Sequence, residues 1–219
     1  MTNKPTIIFD FDGTLADTPK LVVEIYNEHA DEFGVLPVKT EQIPYLRTLG
    51  YKRGMKALKI RWKVLPKLIM LMPKEMKKRM NEVYPYPGIV TLHEELKSSG
   101  LTVGVLTSNS AELVQTFFKS HNFPRLDFTV TEKTLFSKEK ALRKLLKARG
   151  LNRDKVIYVG DEPRDIVSCN KAGIKVIGVT WGLGGKEALA ITRPDIQVDT
   201  VEQLKKAILD EARKLTELQ

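Results

Sequence analysis

Short apolar segments alternate with amphipathic helical segments from residue 88 to the carboxyl terminus, and this alternation constrains the fold more than any other sequence feature. The clearest apolar segments are Leu101–Thr107, Lys155–Gly160 and Ile174–Thr180, and weaker ones lie at Asp127–Val130 and Ile196–Val198. The clear segments lack a polar face, which is typical of strands that are buried on both sides. The pattern predicts an α/β fold in which helices cover both faces of a parallel sheet.

The amino-terminal part departs from this alternation. Thr6–Phe9 is a strand of the same buried type, but the residues from about Thr18 to Tyr84 show helical periodicity and no strand pattern. We therefore predict one α/β core made of residues 1–16 and 86–219, with an all-helical insertion at residues 17–85.

The composition excludes several classes of protein. The chain has 219 residues, 42% of them hydrophobic, which is ordinary for a globular protein and unlike a disordered one. No apolar run approaches the ~18 residues of a membrane-spanning helix, and the amino terminus lacks the apolar centre of a signal peptide. Cys169 is the only cysteine, so a reducing, cytoplasmic compartment is expected. The formal charge of +9 is compatible with nucleic acid, an anionic membrane or a phosphorylated substrate.

Polar side chains follow several of the predicted strands at the point where each strand ends. Asp10 and Asp12 follow the first strand, Thr107 ends the second, and Asp161 and Asp165 follow the strand that ends at Gly160. The carboxyl ends of parallel strands meet at one edge of a sheet, where ligands bind. Carboxylates gathered there would repel one another unless a hard cation such as Mg²⁺ lay among them. The sequence therefore predicts a magnesium site suited to phosphoryl transfer.

Each signal also has a simpler interpretation. Asp12-Gly13 could be a solvated turn, and Ser108 or Asn109 could cap a helix. Asp161 could cap the helix that Pro163 begins. The run Gly182-Leu183-Gly184-Gly185 lacks the Lys-Ser/Thr ending of a phosphate-binding loop, so we interpret it as a flexible connection between a strand and a helix.

Together the motifs resemble those of the haloacid dehalogenase superfamily. The four motifs are Asp10-Phe11-Asp12-Gly13-Thr14-Leu15, Thr107 at the end of a strand, Lys138 at the start of a helix, and Asp161 with Asp165. They occur in order along nearly the whole chain, and the first is specific. The pattern is most similar to the phosphoglycolate phosphatase-like hydrolases, and the insertion resembles a C1-type cap. This resemblance implies a Rossmann-like core of strand order 5-4-1-2-3 and a cap that closes over the substrate.

The resemblance also implies roles for individual residues. Asp10 would be the nucleophile that forms an aspartyl-phosphate, and Asp12 would be the general acid and base. Mg²⁺ would be held by Asp10, by the main-chain carbonyl of Asp12 and by Asp161, with Asp165 in support. The phosphoryl group would be contacted by Thr107, Ser108, Asn109 and Lys138.

More than one lysine could fill the third motif. Lys133, Lys138 and Lys140 lie close together, and we prefer Lys138 because it opens the amphipathic helix. Asp12 indicates phosphoryl chemistry, because the dehalogenases that named the superfamily lack this second aspartate.

The predicted insertion carries most of the positive charge. Residues 43–80 contain twelve Lys and Arg and one acidic residue, Glu75, a net charge of +11 that leaves −2 for the rest of the chain. Gly50–Gly54 resembles a substrate-selecting loop, and Arg47, Lys52 or Arg53 is expected to contact an anionic substrate. The apolar series at helical spacing is interpreted as the core of the insertion and not as a membrane-inserting face; it consists of Leu58, Trp62, Leu65, Ile69 and Met72.

The leading hypothesis is a Mg²⁺-dependent phosphatase that hydrolyses a small phosphorylated metabolite. A phosphotransferase or phosphomutase on the same scaffold, or a phosphonatase, is the enzymatic alternative. The non-enzymatic alternative is a protein that binds nucleic acid or an acidic partner through the basic insertion. It is disfavoured because every motif position holds a reactive residue and the basic segment lacks a series of stacking aromatics. The motifs carry no information on oligomeric state.

Overall fold

The computed structural model describes residues 4–132 and 138–217 and contains a six-stranded, entirely parallel sheet. The strand order is β3-β2-β1-β4-β5-β6. The strands are β1 (Thr6–Phe9), β2 (Thr102–Thr107), β3 (Phe128–Thr131), β4 (Val156–Gly160), β5 (Lys175–Val179) and β6 (Ile196–Val198). The expected α/β fold is confirmed, and β6 extends the expected five-strand order at one edge.

The helices of the described residues fall into two groups. The first group lies between β1 and residue 85 and comprises α1 (Thr18–Glu28), α2 (Ala30–Phe33), α3 (Ile43–Ala57), α4 (Leu65–Lys78) and two 3₁₀ turns, Thr40–Gln42 and Met80–Glu82. The second group accompanies the sheet and comprises α5 (Ile89–Ser98), α6 (Ala111–Ser120), α7 (Lys138–Arg149), α8 (Pro163–Ala172), α9 (Gly185–Thr192), α10 (Val201–Glu217) and the 3₁₀ turn Arg153–Lys155. None of the helices in the described ranges is long and apolar enough to cross a bilayer.

The register of the central strands brings three strand ends to one point. Phe9 of β1 lies opposite Val105 of β2 and Val159 of β4. Because all three strands are parallel, the residues that follow them emerge at the same edge of the sheet. Asp10 follows β1 directly, and its N–H donates a hydrogen bond to the carbonyl of Val159 at 2.8 Å.

Apolar clusters cover both faces of the sheet at β1. Successive side chains of a strand point to opposite faces, so neighbouring residues of β1 belong to different clusters. Ile7 and Phe9 belong to one apolar cluster and Ile8 to the other, and all three are at most 2% exposed. This double burial explains why β1 carries no polar face.

The helices before residue 85 build a third apolar cluster of their own. It includes Tyr26, Val38, Val64 and Leu68. The two chain crossings between this cluster and the sheet run side by side: Asp17 N–H donates to the Tyr84 carbonyl at 2.9 Å, and Tyr86 N–H donates to the Leu15 carbonyl at 3.1 Å.

Two expectations for this helical region are wrong. The segment 50–54 is not a loop, because it lies inside α3. A glycine in a helix costs only about 1 kcal/mol relative to alanine, and no proline interrupts the helix beyond its first turn. Trp62 and Ile69 are not core residues, since they are 72% and 50% exposed. Trp62 precedes α4, so the periodicity of that helix does not set its direction, and the buried positions are Val64 and Leu68.

Candidate active site

Three buried carboxylates and one lysine lie together at the carboxyl edge of β1 and β4. Lys138 Nζ donates hydrogen bonds to Asp10 Oδ2 at 2.8 Å and to Asp165 Oδ1 at 2.5 Å. Carboxylate oxygens of Asp10, Asp161 and Asp165 lie within 4.8 Å of one another. The structure therefore brings together the residues that follow β1 and β4 and residues from the first turns of α7 and α8.

The turn after β1 holds Asp10 in a fixed orientation. The N–H of Phe11 donates to Asp10 Oδ1 at 2.8 Å, while Lys138 occupies Oδ2. Burial raises the pKa of Asp10 to about 7; Lys138 opposes this shift, and Asp165 and Asp12 add to it. A cation among these carboxylates would favour the ionised form that a nucleophile needs.

Asp12 lies in a different environment from Asp10. Asn109 Nδ2 donates a hydrogen bond to Asp12 Oδ2 at 2.6 Å. Burial is the main cause that raises the pKa of Asp12 to about 6; a hydrogen bond with the Thr18 hydroxyl opposes this shift, and the nearby Glu162 carboxylate adds to it. A carboxyl group with a pKa close to neutral is equipped to give and take a proton.

Asp161 is held from two sides. Thr14 Oγ1 donates to Asp161 Oδ1 at 2.9 Å, and the N–H of Leu183 donates to Asp161 Oδ2 at 2.7 Å. Gly182 packs so closely that an added Cβ would lie 2.1 Å from Asp161 Oδ2. Burial, with Glu162, Asp165 and Asp10 nearby, raises the pKa of Asp161 well above its usual range.

The acidic cluster has the chemistry of a divalent-cation site. Asp10, Asp161 and Asp165 would carry three negative charges beside the single positive charge of Lys138, and mutual repulsion raises the pKa of Asp10 and Asp161 on top of burial. The atoms of this cluster that could bind a metal are all carboxylate oxygens, which suit Mg²⁺ better than zinc or copper. The residues present therefore fit the metal that the sequence motifs imply.

A small pocket beside Asp10 contains the remaining residues of the predicted motifs. Its lining includes Thr107, Ser108, Lys138 and Arg164. Thr107 is 1% exposed, and its hydroxyl accepts a hydrogen bond from the N–H of Asn109 at 3.0 Å. The pocket thus offers a hydroxyl, a main-chain turn, two cations and the Glu132 carboxylate next to the Asp10 carboxylate.

The alternative lysines and the basic residues of α3 are placed less centrally. Lys140 is exposed on α7, and Lys133 lies outside the described residues. Arg47 lines a larger cleft between α3 and the sheet domain, whereas Lys52 and Arg53 are exposed and line neither that cleft nor the small pocket as described.

Several supporting residues were not predicted from the sequence. The segment Gly182–Gly185, interpreted as a flexible connection, supplies the main-chain N–H that holds Asp161. Thr14 was recognised only as part of the first motif, and the Trp181 indole N–H donates to the Thr14 carbonyl at 3.2 Å. The available signal was the density of glycines directly after β5, at the edge where the carboxylates meet.

Comparison with known proteins identifies the family of this chain. A family model described as haloacid dehalogenase-like hydrolase matches residues 7–179. A phosphoglycolate phosphatase of Synechococcus elongatus is 30% identical over 203 residues, which cover 92% of this chain and 96% of that protein. The pyrophosphatase PpaX of Bacillus cereus is 26% identical over 204 residues, with coverage of 91% and 94%.

Solved structures share the fold along almost the whole chain. A protein described as a predicted phosphatase from Clostridium acetobutylicum superposes with a TM-score of 0.77 at 23% identity, covering 94% of this chain and 99% of that one. A haloacid dehalogenase-like family hydrolase from Streptococcus pneumoniae has a TM-score of 0.75 at 22% identity, covering 95% and 100%. With the family model spanning most of its length and the motif residues gathered at one sheet edge, the chain belongs to the haloacid dehalogenase-like hydrolases.

Proposed function

We propose that the protein is a Mg²⁺-dependent phosphatase that hydrolyses a phosphoric monoester through an aspartyl-phosphate on Asp10. The observation that carries the proposal is the position of Lys138 between Asp10 and Asp165, next to Asp161 and the Thr107 pocket. The named activities of the relatives from Synechococcus elongatus and Bacillus cereus, both of which cleave phosphate bonds, support the same reaction class.

In the first step, a carboxylate oxygen of Asp10 attacks phosphorus and the bond from phosphorus to the ester oxygen breaks. The electron pair goes to the leaving oxygen, which takes a proton from the Asp12 carboxyl group. The hydrogen bond from Asn109 to Oδ2 orients the Asp12 carboxyl group. Protonating the leaving oxygen removes the charge that would otherwise develop on it.

In the second step, the Asp12 carboxylate takes a proton from water and the water oxygen attacks phosphorus. The bond from phosphorus to Asp10 breaks, inorganic phosphate leaves, and both aspartates return to their starting states. Lys138 orients Asp10 throughout and offsets negative charge beside the phosphoryl group, while Thr107 and the main chain at Ser108 line the pocket that receives its oxygens.

Asp10, Asp161 and the main-chain carbonyl of Asp12 would hold Mg²⁺, which supplies charge neutralisation of the phosphoryl oxygens when bound. Asp165 is already engaged by Lys138, and its Oδ2 accepts the Glu162 N–H at 3.1 Å. We therefore assign Asp165 to supporting the metal site and Lys138.

We further propose that residues 17–85 act as a cap over the catalytic core formed by residues 1–16 and 86–219. The helices before residue 85 have their own apolar cluster, and the two chain crossings are hydrogen-bonded across residues 15–17 and 84–86. A cleft of about 790 Å³ lies between these helices and the sheet domain. Arg47 is the cap residue that we assign to substrate binding, because it lines this cleft.

The test is hydrolysis of p-nitrophenyl phosphate with Mg²⁺ and with EDTA. We expect turnover only with Mg²⁺, and we expect Asp10→Asn to lower kcat by about a thousandfold or more, because the amide is not a nucleophile. Asp154→Asn makes the same chemical change at a side chain that is 75% exposed, and it should leave kcat unchanged. Full activity of Asp10→Asn, or equal activity in EDTA, would overturn the proposal.

A further inference from the structure

The cleft between the helical region and the sheet domain is large and mostly apolar. Its volume is about 790 Å³, within the range of sites that enclose whole organic ligands. Apolar side chains from both sides line it, among them Val23, Leu46, Met55 and Ile60 from the helical region and Leu183 from the sheet domain. A two-carbon phosphate ester would leave most of this apolar surface in contact with water.

The charges that line the cleft do not favour an anionic ligand over a neutral one. Its cationic side chains are Lys20 and Arg47, and its acidic ones are Asp17, Glu24 and Glu162. Of the twelve basic residues in segment 43–80, Arg47 is the one placed in the described lining. The other eleven basic residues, Lys52 and Arg53 among them, do not belong to the described lining, so the lining does not support the expectation that Lys52 or Arg53 contacts an anionic substrate.

The cleft lies near the proposed phosphoryl site, although no residue of the described chain lines both. Glu162 lines the cleft, and its ion-pair partner Arg164 lines the small pocket that contains Asp10. Leu183 also lines the cleft, and its N–H holds Asp161. The organic group of an ester whose phosphorus lies at Asp10 would therefore extend past the Glu162–Arg164 pair into the cleft.

From this juxtaposition we infer that the substrate is a phosphomonoester with an extended apolar organic group, of the alkyl or aryl phosphate class. The inference rests on the proposed phosphatase function and specifies its substrate. Burial of hydrocarbon against the cleft lining supplies the binding energy, since each fully buried methylene strengthens binding roughly fourfold. Arg47, whose Nε is buried without a hydrogen-bond partner among the described residues, remains available for one polar group of that ligand.

The test is the affinity of alkylphosphonates, which carry the same dianionic head group and are not phosphatase substrates because their alkyl group is bonded to phosphorus through carbon. Isothermal titration calorimetry with Mg²⁺ compares methylphosphonate with hexylphosphonate. We expect Kd to fall by about 100-fold or more across the five added methylenes. A ratio below about fivefold would overturn the inference, because it would show that the cleft does not take up the chain.

A matched pair of variants locates the effect. Met55→Glu places a carboxylate in the cleft, whereas Met70→Glu makes the same change at a side chain that is 78% exposed on α4. We expect the affinity ratio to fall about tenfold or more in Met55→Glu and to stay at the wild-type value in Met70→Glu. An unchanged ratio in Met55→Glu, or an equal loss in both variants, would contradict the assignment of the cleft.

The same preparations separate this inference from the proposed function. A steep chain-length dependence without hydrolysis of p-nitrophenyl phosphate would leave the apolar site standing and refute the phosphatase. Hydrolysis with a flat affinity series would leave the phosphatase standing and refute the apolar substrate class.

Discussion

Lys138 brings a positive charge into a nearly enclosed site. Its side chain is 12% exposed, and such a charge is costly to bury unless it is paired. Burial alone would lower the pKa of Lys138, but the carboxylates of Asp10 and Asp165 raise it well above its usual range. The ammonium group therefore stays protonated and joins the ends of β1 and α8.

Replacing this lysine should affect both chemistry and stability. We expect Lys138→Met to lower kcat by about 100-fold or more, since a charge-stabilising donor is lost, and to lower the melting temperature because two buried carboxylates lose their partner. The measurements are steady-state hydrolysis of p-nitrophenyl phosphate and thermal unfolding. Lys140→Met, on the exposed side of α7, is the matched control and should change neither. Loss of activity in the control with retention in Lys138→Met would assign the third motif to Lys140.

His93 is a buried residue whose protonation opposes folding. Its ring packs against Phe118 and Phe123 with centroid distances of 5.8 Å each, and it is 4% exposed. Burial lowers the pKa of His93 to about 4, with Lys97 adding to the effect and Asp127 opposing it. The folded state therefore favours the neutral form of the His93 ring.

This shift predicts a pH dependence of stability. Because the folded pKa lies below the unfolded value near 6.5, the stabilisation is complete above about pH 6.5 and is lost as the pH falls toward 4. The free energy of unfolding should drop by about 3 kcal/mol over this window. His93→Phe should remove that component, as measured by urea unfolding at several pH values. Parallel pH curves for the wild type and the variant would contradict the prediction.

At the scale of elements, the glycines of α3 and of the loop after β5 look alike in the sequence and behave differently in the structure. An added Cβ at Gly54 meets no atom within 4 Å, whereas one at Gly182 would lie 2.1 Å from Asp161 Oδ2 and 2.4 Å from its Cβ. Gly54 is thus replaceable, and Gly182 is required for the close approach of the chain to a carboxylate.

These two glycines make a matched pair of substitutions. We expect Gly54→Ala to stabilise the protein by about 0.5–1 kcal/mol, because alanine favours the helix. Gly182→Ala should displace Asp161 and weaken Mg²⁺ binding by about tenfold or more, on the scale of lost metal-site support. The Mg²⁺ dependence of thermal unfolding measures both effects in one titration. Unaltered Mg²⁺ affinity in Gly182→Ala would show that the loop does not position Asp161.

Four strands, β1, β2, β4 and β5, were predictable because an apolar run without a polar face indicates a strand that is buried on both sides. The catalytic residues were predictable because their order along the chain and their position at strand ends imply one sheet edge. Trp62 and segment 50–54 were not predictable from local pattern, since Trp62 lies outside α4 and the helix α3 continues through its glycines. The hydrogen bond from the Leu183 N–H to Asp161 was not predictable either, because it joins residues that are far apart in the chain.

At the scale of the whole molecule, positive charge is concentrated on the outside of the helical region. Ten of the twelve basic residues in segment 43–80 form no ion pair with any described residue, and only Lys78 and Arg79 are paired. Lys74 lies three residues before Lys77 and four before Lys78 on α4, spacings at which like charges repel. The surface charge therefore costs stability at low ionic strength.

Salt should relieve this cost. We expect the melting temperature to rise when NaCl is increased from a low to a physiological concentration, because screening weakens repulsion among exposed cations. Lys74→Glu should raise stability at low salt by up to about 1 kcal/mol, since it replaces two repulsive pairs with attractive ones, and should reduce the salt dependence. A melting temperature that falls with added salt would contradict this account.

The cleft is also a property of the whole molecule. Val23, Leu46 and Leu183 meet there from three separate stretches of the chain, so their shared environment cannot be read from any local pattern. The net charge of the insertion suggests an anionic substrate. In the structure, however, Arg47 is the only basic residue of segment 43–80 in the described lining of the apolar cleft.

The central claim is that Asp10 accepts the phosphoryl group during turnover. Acid quench of the enzyme with radiolabelled p-nitrophenyl phosphate and Mg²⁺ measures label bound to the protein that hydroxylamine releases. Because p-nitrophenolate leaves without needing a proton, Asp12→Ala should complete the first step and accumulate label through slow hydrolysis of the second. We predict label in Asp12→Ala and none in Asp10→Asn; label in Asp10→Asn, or its absence from Asp12→Ala while phenolate is released, would contradict the account.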